Sequence, residues 1–86
     1  MRARELVGDG AKLVDVRTPE EYAAKHLPSA VNLPVQQLGD RMKELEPKDQ
    51  PIVLYCRSGH RSGIAFDQLK KAGFSKVYDL GPISAW

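Results

Sequence analysis

The chain's one cysteine opens the segment Cys56-Arg57-Ser58-Gly59-His60-Arg61-Ser62. The apolar run Ile52-Val53-Leu54-Tyr55 before it reads as a buried strand, and Gly63 to Ala72 after it reads as a helix. In an open α/β sheet, ligands bind at such carboxyl ends of strands. Successive backbone N–H groups in the turn form a nest for an anion, and the helix dipole adds partial positive charge. An ordinary thiol, with a pKa of about 8.5, is only a few per cent thiolate at neutral pH. A helix N-terminus and nearby Arg or His⁺ lower that value to roughly 3.5–7.5. The loop supplies the helix end, Arg57, Arg61 and His60. The predicted chemistry is nucleophilic, with an anionic sulfur made and held.

A lone cysteine is most often a small buried apolar residue. Three basic neighbours at a strand-to-helix turn reverse that expectation for Cys56. Arg57 is placed at the pocket mouth, where it meets the anionic end of a substrate. Arg61 either points at the sulfur or pairs with an acid such as Asp15 and braces the loop; the brace is preferred. The direction of His60 is open. Gly59 is expected in a backbone conformation that a side chain would hinder. Ser62 is expected as the helix N-cap. Asp15 and Arg17 end a neighbouring strand close to the loop, with Arg17 paired to Glu20 or Glu21 and Asp15 capping a turn. His26, Phe74 and Trp86 are read as structural.

The elements that position these residues alternate along the chain. Ala3 to Val7 reads as a helix closed by Gly8-Asp9-Gly10, and Leu13 to Val16 as a strand. Thr18-Pro19-Glu20-Glu21 carries the marks of a capping box, opening a short helix through Lys25. Ala30-Val31-Asn32 reads as a short strand. Val35, Leu38, Met42 and Leu45 recur with helical spacing until Pro47. After the cysteine loop and its helix, Gly73 is a natural C′ residue and Val77 to Leu80 a last strand. Strands alternating with helices predict a parallel sheet covered on both faces.

At 86 residues the chain is one small domain, and a single cysteine excludes an internal disulfide. No Cys/His cluster has zinc spacing. No apolar run is long enough to span a membrane, and no signal-peptide core follows Met1, so a cytoplasmic protein is the expectation. A net charge of +2 is too small to point to nucleic acid, but its distribution is informative. Residues 1–50 carry eight Lys/Arg against nine Asp/Glu, whereas residues 51–86 carry five against two. The positive potential around the cysteine favours a small anionic substrate.

Asp15-Val16-Arg17, Glu21-Tyr22, His26-Leu27-Pro28-Ser29-Ala30, Asn32-Leu33-Pro34, the Cys56–Ser62 loop, Ala72-Gly73-Phe74 and Leu80-Gly81 with Ala85-Trp86 occur in the order and spacing of a rhodanese domain. The chain resembles single-domain rhodaneses over nearly its whole length. That resemblance implies a rhodanese-like α/β fold, with a small central parallel sheet flanked by helices on both faces. It also implies a single domain over residues 1–86, shortened at both ends. The implied activity moves a sulfane sulfur from thiosulfate or a related donor to a thiol, protein or cyanide acceptor. The sulfur travels as a persulfide on Cys56, held by the backbone of Arg57 to Ser62, with Asp15 and Arg17 in support. No metal or cofactor, no membrane and no nucleic-acid partner is implied, and a monomer is expected. The chain departs from the family pattern at Lys25, Ser29 and Pro82, where glycine is usual.

Two other functions compete. Cysteine phosphatases, and arsenate reductases like them, place five residues between Cys and Arg. Here four, Arg57 to His60, separate Cys56 from Arg61. The shorter loop makes a tighter nest, suited to one added sulfur atom and too small for a phosphoryl group. A rhodanese-like binding or regulatory module commonly lacks the cysteine, and Cys56 is present.

Overall fold

A computed structural model describes residues 2–86. Its elements are helix α1 (Ala3–Gly8), strand β1 (Lys12–Asp15), helix α2 (Pro19–Ala24), strand β2 (Val31–Asn32), helix α3 (Leu38–Arg41), strand β3 (Ile52–Cys56), helix α4 (His60–Lys71) and strand β4 (Val77–Pro82). The four strands pair in parallel in the order β2-β1-β3-β4. Parallel neighbours need crossover connections, which α2, the α3 region and α4 provide. The predicted α/β architecture is the observed one.

Side chains alternate across the sheet and build two cores. Val14, Leu54 and Cys56 face Leu38, Leu45, Ala65 and Leu69. Leu13, Val53 and Tyr55 face the opposite way, toward Ala3, Leu27 and Ala30. Because both faces are covered, β3 is buried at every position. Its last residue, Cys56, therefore reaches the loop from a fixed base.

Three expectations need correction. The helix expected across Val35 to Leu45 is broken into a 3₁₀ turn over Val35–Gln37, the single α-turn of α3, and a second 3₁₀ turn over Met42–Leu45. Gly39 weakens helix propensity in the middle of this segment, yet Leu38 and Leu45 are still buried. Helix α4 starts at His60 and not at Gly63; its N-cap is Gly59, with φ of 98° in the left-handed region. Ser62 consequently lies inside the first turn and is not the cap. Strand β4 runs past Leu80 to Pro82, with a bulge that pairs Leu54 with Asp79 but Tyr55 with Gly81. Pro82 is tolerated because β4 is an edge strand.

Candidate active site

Cys56 is the C-terminal residue of β3, and its side chain is fully buried. Gly59 donates its N–H to Sγ at 2.9 Å, and Ser62 donates its N–H at 3.4 Å. The Ser62 hydroxyl lies 3.6 Å from Sγ and donates to the Gly59 carbonyl at 3.1 Å. Burial pushes the thiol up, but the Ser62 N–H and hydroxyl and the N–H groups of Gly59 and Ser58 outweigh it, leaving the pKa below its ordinary value. Hydrogen bonds from the loop and the first turn of α4, the Ser62 hydroxyl among them, are the chief lowering causes.

Gly59 makes this geometry possible. Its positive φ turns the chain so that its own N–H points back at the sulfur. A Cβ at Gly59 would stand 3.6 Å from the Cα of Gly81 and 3.7 Å from Cδ of Pro82. The loop thus rests on the end of β4, where Gly81 is also left-handed, with φ of 86°.

The basic residues go elsewhere. Arg57 and His60 are exposed beside the loop. Arg61 forms a two-bonded pair with Glu21, Nη1 to Oε1 at 2.7 Å and Nη2 to Oε2 at 3.1 Å. The brace expected of Arg61 exists, but its partner is Glu21 and not Asp15. Glu21 is preset by the capping box of α2, since its Oε1 also accepts from the backbone N–H and hydroxyl of Thr18, each at 3.1 Å. The Arg61 hydrogen bonds, helped by Thr18, hold the Glu21 carboxyl at a pKa of about 2.

Asp15 ends β1, Arg17 follows two residues on, and neither makes a hydrogen bond to Sγ. Arg17 pairs with Asp15, Nη2 to Oδ2 at 2.7 Å, which corrects the expected pairing with Glu20 or Glu21. Two residues apart along an extended chain, they share one side, while Glu21 is occupied by Arg61. Asp15 does fix a turn, accepting the Arg17 N–H at 2.9 Å. The buried Tyr55 hydroxyl donates to Asp15 Oδ2 at 2.8 Å and accepts the Leu27 N–H at 3.1 Å. The contacts of Tyr55 with Asp15 and of Glu21 with Arg61 are ones that sequence reasoning missed. The capping box marked Glu21 as ordered, but no spacing pointed from it to Arg61. His26 is exposed, stacked on Tyr22 with ring centroids 3.9 Å apart.

A buried cysteine in a backbone cradle, at the carboxyl end of a central parallel strand, defines a class of α/β domains. The family model of the rhodanese-like domain matches residues 2–86, and the chain belongs to that family. A sulfurtransferase of Allochromatium vinosum is 47% identical over 75 residues, covering 86% of this chain and 69% of that protein. A thiosulfate sulfurtransferase of Pseudomonas syringae is 36% identical over 86 residues, covering 99% of this chain and 80% of that protein. The solved structure of a rhodanese with anions from E. coli matches with a TM-score of 0.84 at 29% identity, covering 90% of this chain and 92% of that one. Some relatives are longer: the chain spans 60% of one Bacillus subtilis protein and 40% of another.

Proposed function

We propose that the protein is a thiosulfate-type sulfurtransferase that carries sulfur as a persulfide on Cys56. The observation behind this reading is the convergence of the Gly59 and Ser62 N–H groups on Sγ, at 2.9 and 3.4 Å. The Cys56 thiolate attacks the outer sulfur of thiosulfate. A sulfur–sulfur bond forms to Cys56 as the original one breaks, and its electron pair leaves with sulfite. The new terminal sulfur carries the negative charge. His60 and Arg61 are the first two residues of α4. Their N–H groups have no acceptor within the helix, so they are available to that outer sulfur without reorganisation. An acceptor thiolate or cyanide then attacks the outer sulfur and returns the bond's electrons to Cys56. The chain's count of one cysteine makes the acceptor an external molecule.

Arg57, exposed at the loop, is suited to meeting the sulfonate end of the donor. Asp15 and Arg17 act indirectly, by holding Tyr55 at the base of the loop. The test is intact-mass spectrometry after exposure to thiosulfate. One sulfur atom should be gained on the peptide containing Cys56, be removed by cyanide, and be absent from Cys56→Ser. Folded protein with a free thiol that gains no sulfur from thiosulfate or other sulfane donors would overturn the reading, and with it favour a binding module or a phosphatase.

A further inference from the structure

We propose that Glu21 determines specificity at the loop: by engaging both terminal nitrogens of Arg61, it keeps the guanidinium from serving as an oxyanion clamp. The inference rests on the sulfurtransferase reading for its purpose, because the proposed leaving group, sulfite, is itself an oxyanion that must depart.

The geometry carries the argument. Arg61 is the second residue of α4 and belongs to the seven-residue segment that contains the nucleophile. From there a free guanidinium would present a rigid fork suited to binding an oxyanion through two hydrogen bonds. Glu21 takes that fork at 2.7 and 3.1 Å, and the pair is shielded, with side-chain exposures of 26% and 28%. The carboxylate has little freedom to release it, since Thr18 ties Oε1 from the other side. The thiol still senses the arginine, because Cys56 raises the Arg61 pKa, though less than the Glu21 hydrogen bond does.

The other charged groups in the neighbourhood do not replace Arg61. Arg57 and His60 are exposed to water. Arg17 is tied to Asp15. Asp79 of β4 approaches α4, with its Oδ2 3.8 Å from where a Cβ on Gly63 would be. The cradle is therefore built from neutral dipoles beside a neutralised cation. Such a site favours a single sulfur anion over a sulfate or phosphate dianion held by a guanidinium.

Glu21→Gln removes the charge while glutamine can still complete the capping box. The experiment measures alkylation of Cys56 by iodoacetamide against pH, with and without inorganic sulfate, in the full chain. It is run on the wild type, Glu21→Gln, Arg61→Gln and the double variant, with circular dichroism to establish that each is folded. In Glu21→Gln the freed cation should lower the alkylation midpoint by roughly one pH unit. Sulfate should then protect the thiol at roughly tenfold lower concentration than in the wild type. Both changes should vanish in the double variant, which should behave like Arg61→Gln. Persistence of the changes in the double variant, or their absence in folded Glu21→Gln, would overturn the proposal. Arg61→Gln alone supplies a second arm: sulfate protection much weaker than in the wild type would show that Arg61 already serves the loop, and would also overturn it. Neither measurement uses sulfur transfer, so a failure here is distinct from a failure to form the persulfide.

Discussion

Tyr55 donates its hydroxyl to Asp15 Oδ2 at 2.8 Å, joining the residue before the nucleophile to the end of the neighbouring strand. Burial, more than any charge nearby, pushes that phenol up to about 12. Tyr55 is thus a neutral donor at neutral pH. Removing its hydroxyl in Tyr55→Phe leaves Asp15 held by Arg17 but strips the Leu27 N–H of its acceptor. A loss of about 1–3 kcal/mol in denaturant unfolding is expected. A variant as stable as the wild type would show that the link carries no load.

The thiol should ionise below the ordinary value of about 8.5, as read from alkylation rate against pH. Ser62→Ala removes the hydroxyl 3.6 Å from Sγ and should move that midpoint upward. The Ser62 N–H remains, so the rise should be partial. An unchanged midpoint would assign the acidity to backbone dipoles alone.

Gly59→Ala tests the turn. A left-handed backbone costs a residue with a Cβ about 1–2 kcal/mol, and relaxing it would swing the Gly59 N–H off the sulfur. The variant should therefore lose stability and also raise the thiol pKa. Loss of stability with an unmoved thiol pKa would separate the turn from the activation of Cys56.

Acid should weaken the Glu21–Arg61 pair in a defined window. The folded carboxyl titrates at about 2 against an ordinary 4.5. A depressed folded pKa means the contribution to stability is complete above 4.5 and fades as the pH falls toward about 2. Denaturation curves of the wild type and Glu21→Gln should accordingly differ at neutral pH and converge in strong acid. Curves that stay equally far apart throughout would show that the pair is not the source.

Much of this was legible along the chain. The apolar run ending at Cys56, the Thr18–Glu21 box and the glycine at position 59 are local signals, and each produced the element or conformation expected of it. Ser62 reads as a cap because a hydroxyl near a helix start is usually one. Here a left-handed glycine takes the cap and turns the hydroxyl inward. The carboxylate partners of Arg61 and Tyr55 are illegible for a different reason: each lies 40 residues away, and only strand order brings it close. The pairing of Asp15 with Arg17 could have been read, since extended residues two apart share a side.

The contacts to Sγ all come from within six residues of Cys56, whereas its two supports each span 40. The domain therefore assembles its reactive centre on two scales. The hydrogen bonds to Sγ need only the loop and the first turn of α4, while the supports await closure of a long loop, the slower kind of event. Synthesis runs from the N-terminus, so Asp15 and Glu21 already exist when Cys56 emerges. Docking of β3 against β1 then brings both supports to the loop together, so the step that joins the two central strands also steadies the nucleophile.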